Sequence, residues 1–266
     1  MQLTEINIYP VKSLGRVQLS QSSLTDRGLM HDRRWMIVDE HNQFITQRKI
    51  PSIAVIQPQL TDRELILSHP NGSSARVPLV SDGGEEINVQ IFDQICLAIS
   101  HQNHSTELNN WLSNILGLTC KLVYMPDQSH RFVKEKYGAA DKIVSFADGF
   151  PYVIIGEASL NYLNQKLENP VPMTRFRPNF VFSGGEPHEE DKWSQIKIGT
   201  VHFRAVVQWG RCMVTTVDQN TGVKETEPLK TLNTYRKKDD KVVFGMTLIG
   251  PSSGIVSVGD LIEPLS

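Results

Sequence analysis

The sequence predicts a mostly β protein of two barrel-like parts with a few peripheral helices. Three observations predict this class. Short segments of alternating apolar and polar residues recur along the chain, turn residues such as Pro70-Asn71-Gly72 separate them, and helical spacing of apolar residues is confined to a few stretches. Short strands separated by turn signals in this way are typical of a barrel or a sandwich.

Size and composition describe an ordinary globular protein. The 266 residues can form two modest domains or one large β domain, and 39% of them are hydrophobic. The formal net charge of −2 argues against nucleic-acid binding, which needs a basic excess. It does not exclude an anionic ligand, because local clusters of arginine do not show in a net total. Because we find no signal peptide and no run of roughly 20 apolar residues, we predict no membrane association.

The three cysteines, Cys96, Cys120 and Cys212, are odd in number, widely spaced and without a CxxC pair. This pattern argues against a disulfide framework, against a structural zinc site and against an iron–sulfur cluster, which normally needs about four cysteines. A reducing, cytoplasmic location is therefore predicted.

The first half of the chain alternates between predicted strands and turns. We place strands at 3–9, from 16 onward, and at 35–38, 44–48, 53–60, 64–68, 75–79, 87–92, 95–100 and 121–125. One of the turns is Asp82-Gly83-Gly84. Apolar residues at helical spacing predict a helix over 105–117, with Ser105 as its cap.

The second half begins with a polar segment, 128–147, which we predict to be a surface loop. We therefore place a domain boundary near residue 125, which gives domains 1–125 and 126–266. Strands are then expected at 152–155, 180–182, 196–198, 201–208, 214–217, 242–249, 255–258 and after Asp260, with helices at 157–167 and after Pro228.

The segment FRAVVQWGRCMVTTVD, residues 203–218, contains the most unusual cysteine. Two β-rich runs flank Gly210, which permits a sharp bend, and Cys212 would then lie at a strand end beside the permanent cation of Arg211. A thiolate is a ligand for soft metals, and a neighbouring cation favours the thiolate. The alternative is a buried, inert cysteine, which this segment alone favours.

Basic residues form the second candidate feature, because arginine and lysine at turns can bind phosphate or carboxylate groups. Singly, each is more often a surface or ion-pair residue. Arg177 is less ordinary, since Pro178 predicts an extended backbone there and Asn179 adds an amide that can bond a heterocycle. The basic set at strand ends and turns comprises Lys12, Arg33, Arg48, Arg175, Arg177 and Arg211.

Two further groups favour ordinary interpretations. The acidic segment 186–191 could imitate a hard-metal site, but a solvated loop is the favoured interpretation. His31 beside Asp32 could act as a general base, although an exposed turn residue is the more common case. The sequence contains no phosphate-binding glycine loop, HExxH pair or GxSxG elbow.

Taken together, the motifs resemble the MOSC proteins that begin with the family's N-terminal β-barrel domain, among them the mitochondrial amidoxime-reducing components and their bacterial counterparts. The resemblance covers almost the whole chain and depends on the order of several motifs. These are YPVKS (9–13), HDRRWMIVD (31–39), TQR (46–48), FADGFPY (146–152), EASLNYLN (157–164), FRPNFVFSG (176–184) and GRCMVTTVDQNTG (210–222).

The resemblance implies an N-terminal MOSC β-barrel domain over 1–125, a MOSC domain over 126–266 and a bound molybdenum cofactor, Mo-molybdopterin. It implies that Cys212 is the catalytic residue and the single protein ligand to the metal. The residues implied to bind the rest of the cofactor are Lys12, Ser13, Arg33, Asp148, Arg177, Asn179 and Arg211. The sequence departs from the family at Gly210, where eukaryotic members often have serine, and at Gly149-Phe150, which replace small hydroxyl residues.

The implied activity is reduction of small N-hydroxylated compounds such as hydroxylaminopurines, amidoximes or N-oxides. Because the chain has only three cysteines, we expect its electrons to come from a separate flavin or iron–sulfur reductase. An alternative from a different class is a sulfur carrier, in which a Cys212 persulfide is passed to another enzyme. A β-barrel scaffold with neither metal nor reactive thiol is the third possibility.

Overall fold

The structure is a computed structural model, and it describes residues 1–79, 83–101 and 105–265. The predicted turn residue Asp82 and the side chain of the predicted cap Ser105 lie outside this description. Strands dominate the described chain, which confirms the mostly β class.

Strands and helices alternate as follows. The strands of the first half are β1 (Gln2–Ile8), β2 (Val17–Leu19), β3 (Gln21–Thr25), β4 (Gly28–Leu29), β5 (Trp35–Asp39), β6 (Gln57–Leu60), β7 (Glu64–Ser68), β8 (Ser74–Pro78), β9 (Gly84–Ile91), β10 (Gln94–His101) and β11 (Cys120–Tyr124). Those of the second half are β12 (Tyr152–Gly156), β13 (Phe180–Ser183), β14 (Gln195–Ile198), β15 (Val201–Arg211), β16 (Lys237–Lys238), β17 (Lys241–Ile249), β18 (Ile255–Ser257) and β19 (Ile262–Pro264). The α-helices are α1 (Ser105–Leu116), α2 (Glu157–Asn164) and α3 (Leu229–Tyr235). None of the helices in the described ranges is long and apolar enough to cross a membrane.

The largest sheet has the strand order β19-β14-β15-β17-β12-β13-β1-β2, with β16 beside β17. Its two ends approach each other, because the Leu3 amide donates to the Asp260 carbonyl at 2.9 Å and the Ile262 amide donates to the Met1 carbonyl at 2.9 Å. In the described residues an isolated bridge from Gln2 to Leu261 makes this contact, so the sheet curves strongly without a closed strand ladder.

Three smaller sheets complete the fold, with orders β5-β11-β10-β9, β18-β3-β4 and β6-β7-β8. Strands from both halves share two sheets, since β1 pairs with β13 and β3 pairs with β18. The division into domains 1–125 and 126–266 stays a prediction.

Buried hydrophobic clusters hold the sheets and helices together. The large sheet encloses one cluster with Leu3, Ile6, Phe180 and Phe203, and α1 covers another through Leu108 and Leu112, at the spacing that predicted the helix. Burying one such side chain contributes roughly 1.5–3 kcal/mol. A third cluster lies between the large sheet and α2 and α3.

Three predicted strand segments take other conformations. Residues 44–48 make only an isolated bridge, between Val38 and Phe44, and Pro51–Val55 is a short 3-10 helix that begins at a proline. The predicted strand at 214–217 is wrong, because Met213–Thr216 is a 3-10 helix. The hydroxyls of Thr215 and Thr216 donate to the carbonyls of Cys212 and Met213 at 3.0 and 2.8 Å, and such local bonds compete with strand pairing. Helix α2 also ends three residues earlier than predicted.

The segment 186–191 is only partly the solvated loop that its charges predicted, because Glu186 is exposed whereas Glu190 is buried. The Glu190 side chain is 0% exposed, and the Ser159 hydroxyl donates to its Oε2 at 2.9 Å. Burial raises the pKa of Glu190 to about 7, although the bonds from Ser159 and from the Gly156 amide oppose this change. A carboxyl group that is half protonated near neutral pH therefore lies inside the fold.

This carboxyl predicts a pH-dependent stability. The folded pKa of about 7 exceeds that of a free glutamate, so folded protein binds more protons, and the stabilisation present in acid is lost as the pH rises through about 7. We expect Glu190→Gln to be more stable than the wild type at about pH 8, by up to roughly 3 kcal/mol in urea unfolding, and to lose this advantage towards about pH 5. Exposed Glu186→Gln is the control and keeps the wild-type dependence. If the free energy of unfolding depends on pH equally in the wild type and in Glu190→Gln, the raised pKa of Glu190 is not the cause of the pH dependence.

Candidate functional site

A cavity of about 510 Å³ lies where the turns after β1 and β4 meet the end of β15. Every residue that the sequence singled out for the site lines it. These residues are Lys12, Ser13, Arg33, Asp148, Arg177, Asn179, Arg211 and Cys212. The structure thus brings together side chains that are up to 200 positions apart in the sequence, such as Lys12 and Cys212.

Cys212 follows directly after β15, as the sequence predicted for a strand end. In a regular strand successive side chains point to opposite faces, yet Trp209, Gly210, Arg211 and Cys212 all line the cavity. Irregular pairing between β15 and β17 on both sides of Gln208 explains this, because a β-bulge redirects side chains.

The Cys212 thiol is exposed, whereas Cys96 and Cys120 are buried, and all three are free thiols in the described chain. Burial raises the pKa of both Cys96 and Cys120, which keeps them as neutral thiols. The alternative of a buried, inert cysteine therefore describes Cys96 and Cys120 and does not describe Cys212.

Arg211 is held by backbone carbonyl groups. Its Nε donates to the Phe244 carbonyl at 2.8 Å and its Nη1 donates to the Phe176 carbonyl at 2.7 Å. Burial lowers the pKa of Arg211 to about 9, although Cys212 opposes this change. The guanidinium is therefore a fixed, protonated group next to Cys212.

The buried carboxylate of Asp32 connects three parts of the site. It accepts hydrogen bonds from the Tyr9 amide at 2.8 Å, from Arg33 Nη1 at 2.6 Å and from Asn179 Nδ2 at 3.1 Å. Asn179 also donates from Nδ2 to the Asn7 carbonyl at 3.1 Å and accepts from the Val153 amide at 3.2 Å. Its amide is thus engaged in joining strands, which fits a positioning residue.

Tyr9 aligns two of the cations. The guanidinium carbons of Arg33 and Arg177 each lie 4.2 Å from the centroid of its ring. Arg177 Nη1 donates to the Leu14 carbonyl at 2.7 Å, and burial lowers the pKa of Arg177 to about 10. The Tyr9 ring and the Leu14 carbonyl fix the orientation of Arg177, and the Tyr9 ring and the Asp32 carboxylate fix that of Arg33.

The extended backbone predicted for Arg177 is wrong, because this residue has φ 54° and ψ 45°. It ends the 3-10 helix Met173–Phe176, where its amide donates to the Thr174 carbonyl at 3.3 Å. Ser13 and Arg33 also have positive φ, 71° and 50°. Non-glycine residues in this region store strain of roughly 1–3 kcal/mol, and such strain concentrates at functional sites.

Lys12 and Asp148 form an ion pair in the cavity. The Lys12 ammonium, whose residue is only 4% exposed, donates to the Phe146 carbonyl at 2.9 Å and to Asp148 Oδ1. Burial lowers the pKa of Lys12 to about 8, which Asp148 opposes. Burial alone would raise the pKa of Asp148, but Lys12 and then Arg48 hold it at about 2. Both groups are therefore charged at neutral pH.

Four further cations line the cavity, although no sequence motif assigned them to the site. Arg48 and Arg175 belong to the basic set at turns, but the motifs gave no reason to place them at the site. Arg131 and Lys134 come from the segment predicted as a polar surface loop, yet Arg131 is buried and donates to the Ser145 carbonyl at 2.9 Å. Only tertiary contacts reveal that this loop turns inward.

The electrostatics of the cavity favour an anion. Among the described lining residues eight are lysine or arginine and two, Asp93 and Asp148, are carboxylates. Several buried guanidinium nitrogens have no hydrogen-bond partner in the described structure, namely Arg48 Nε, Arg131 Nε, Arg175 Nε and Nη1, and Arg211 Nη2. A buried donor without an acceptor costs roughly 1–3 kcal/mol, which a phosphate or another polyanionic ligand would offset.

Histidine, cysteine and carboxylate side chains are dispersed in the described part of the chain. The described residues contain no cluster of three or more His, Cys, Asp or Glu side chains that could hold a metal ion. In the acidic segment, Asp191 instead pairs with Arg236 at 2.6 Å. At the cavity itself, the exposed Cys212 thiol lies beside the cationic side chains that line it.

Comparison with known proteins agrees with the motif order. Residues 141–263 match the MOSC domain family, and residues 1–119 match the MOSC N-terminal beta barrel domain family. Mitochondrial amidoxime reducing component 2 of Rattus norvegicus is 32% identical over 278 residues, which are 97% of this chain and 81% of the relative. The chain belongs to the MOSC family. This confirms the resemblance that the motifs carried.

Two other relatives show the range of this MOSC group. Mitochondrial amidoxime-reducing component 1 of Mus musculus is 30% identical and matches 97% of this chain and 80% of its own length. The molybdenum cofactor sulfurase of Arabidopsis thaliana is 31% identical over 92% of this chain, which spans only 32% of that relative. The name of the second relative mentions the molybdenum cofactor, and the name of the first mentions amidoxime reduction.

Proposed function

We propose that this MOSC protein binds the molybdenum cofactor and reduces N-hydroxylated compounds such as hydroxylaminopurines, amidoximes and N-oxides. One observation carries the proposal: the exposed Cys212 thiol opens into the same cationic cavity as the unpartnered guanidinium donors. A soft sulfur ligand and an anion-binding wall are the two features that a metal with a phosphorylated organic ligand needs.

The lining residues fit this group. Cys212 would be the single protein ligand to molybdenum, and Lys12, Arg33, Arg177 and Arg211 would hold the anionic part of the cofactor with help from Ser13. Asp148 keeps the Lys12 ammonium in place, and the Asn179 amide joins the strands that carry these side chains. When bound, the cofactor supplies two-electron redox chemistry.

The overall reaction converts R–NH–OH, two electrons and two protons into R–NH2 and water. The protein's part is to orient the substrate and to maintain fixed charges around it. The Lys12 ammonium, with its pKa of about 8, holds a proton on Nζ at neutral pH in a cavity whose lining includes Phe92 and Phe150. The electrons are proposed to come from a separate flavin or iron–sulfur protein, and the three free thiols favour the cytoplasm.

A sulfur carrier is the second candidate, because the Cys212 thiol is exposed and one relative is a molybdenum cofactor sulfurase. In that function the thiol would hold a persulfide for transfer to another enzyme. The cationic cavity is not required for this role, which is why we favour the reductase.

Analysis of the purified protein separates the two candidates. The reductase predicts about one molybdenum and one pterin per chain, together with dye-driven reduction of 6-hydroxylaminopurine to adenine. The sulfur carrier predicts cyanide-releasable sulfur without metal. Full cofactor loading with no reduction of any N-hydroxylated compound would reject the reductase and leave only cofactor binding.

A further inference from the structure

A second cavity of about 500 Å³ adjoins the first one. It shares Trp209, Gly210 and Arg211 with the first cavity, and these residues directly precede Cys212. Its remaining lining residues are Tyr137, Val207, Gln208, Lys238, Asp239, Asp240, Lys241 and Val243. The end of β15 therefore separates the two cavities and lines both of them.

Aromatic side chains pack around Trp209 at the end of β15. Trp209 contacts Phe150 edge to face, with 5.7 Å between ring centroids, and Phe150 contacts Tyr137 at 4.9 Å. A Cβ atom at Gly149 would lie 3.5 Å from Trp209 Cη2, so the absence of a side chain at Gly149 leaves this part of the indole uncovered. The contacts hold the indole in place while part of it stays accessible.

The two cavities differ in charge. The first has eight cations and two carboxylates among its described lining residues. The second has three cations, Arg211, Lys238 and Lys241, and two carboxylates, Asp239 and Asp240. An anionic cofactor is attracted to the first cavity, whereas the nearly balanced second cavity suits an uncharged molecule.

We propose that Trp209 is the surface on which the planar aromatic part of the substrate stacks, at the boundary between the two cavities. The inference depends on the proposed function and narrows its substrates to neutral, planar N-hydroxylated heteroaromatics. Stacking binds such rings without requiring a particular hydrogen-bond pattern. Cys212 is three residues after Trp209, about 10 Å along an extended strand, so a ring stacked on Trp209 lies in the same cavity as the proposed metal ligand.

The test compares two substrates in the cofactor-loaded enzyme. For Trp209→Leu we expect KM for 6-hydroxylaminopurine to rise about tenfold or more, since stacking of one base contributes roughly that much. The kcat for this substrate and both constants for N-methylhydroxylamine, which has no ring, should stay close to wild type. Trp209→Phe retains an aromatic face and should fall between wild type and Trp209→Leu.

Binding of the product adenine, measured by calorimetry, gives a readout that does not need turnover. Adenine binding should weaken in Trp209→Leu to the same extent as KM rises. Trp111→Phe, on α1 with its indole nitrogen donating to Ser73 at 2.8 Å, is the control and should bind adenine as the wild type does.

Other results have distinct meanings. If Trp209→Leu and Trp209→Phe impair both substrates equally, or neither, the stacking surface is rejected while the reductase stands. If cofactor-loaded wild-type enzyme reduces no N-hydroxylated compound, amidoximes and N-oxides included, the proposed function itself fails. Reduction of amidoximes but not of 6-hydroxylaminopurine, or undiminished adenine binding by Trp209→Leu, would reject the stacking surface alone.

Discussion

Cys212→Ser is expected to deplete molybdenum from the purified protein and to abolish reduction of N-hydroxylated compounds. The serine hydroxyl is a harder, more weakly acidic ligand than a thiolate, and no other cysteine lines the cavity in the described structure. Mutation of residues that only support metal ligands typically lowers metal affinity or activity about 10–100-fold. Loss of the single protein ligand should therefore lower both by at least about 100-fold. Metal analysis by mass spectrometry and dye-coupled reduction measure the two effects.

Cys120→Ala is the matched control for this experiment. Cys120 is buried, with its sulfur 3.7 Å from the Ser113 hydroxyl, at a distance from the cavity. It should retain wild-type molybdenum content and activity. A Cys212→Ser protein that reduces hydroxylaminopurine at the wild-type rate would remove Cys212 from the mechanism.

Asp32→Asn is expected to be the most destabilising conservative substitution at the site. The Asp32 carboxylate is 2% exposed and accepts from the Tyr9 amide, Arg33 and Asn179. An asparagine turns one acceptor into a donor, so a buried donor faces another donor and Arg33 loses its charge partner. Breaking a buried pair in this way costs roughly 3–5 kcal/mol, which urea unfolding measures as a lower midpoint.

Asp127→Asn supplies the comparison for Asp32. Asp127 also pairs with an arginine, Arg34, at 2.7 Å, but its side chain is 87% exposed. Because the Asp127 carboxylate is solvated and Arg34 keeps its bond to the Met125 carbonyl at 2.6 Å, the loss should be at most about 1 kcal/mol and this variant should unfold close to the wild-type midpoint. Equal losses for the two variants would show that burial of Asp32 does not govern its contribution.

Much of the fold follows from local pattern. Strands β7 and β12 and helix α1 lie where alternation or helical spacing predicted them, because their apolar faces are buried in continuous clusters. The segment after Cys212 was predicted as a strand from its β-branched residues, but threonine hydroxyls bond to nearby carbonyls there. The β-strand propensity of these residues does not take their side-chain hydrogen bonds to the backbone into account.

The site was predictable only where residues belong to motifs. Lys12, Arg33, Arg177 and Cys212 lie in motifs and line the cavity. Arg131 also lines the cavity but lies in none of these motifs, and its position depends on bonds from its guanidinium to the carbonyls of Ser145 and Ala147. The stacking of Arg33 and Arg177 on Tyr9 likewise joins segments about 140 positions apart, which no local pattern encodes.

The curved sheet has a consequence for folding. Strand β1 pairs with β13, which begins at Phe180, and Leu3 bonds to the carbonyl of Asp260. Pairing between segments so far apart in sequence requires closure of a long loop, so we expect the large sheet to form slowly during folding. Because Lys12 lies four residues after the end of β1, its ammonium reaches the cavity only once these distant segments have paired.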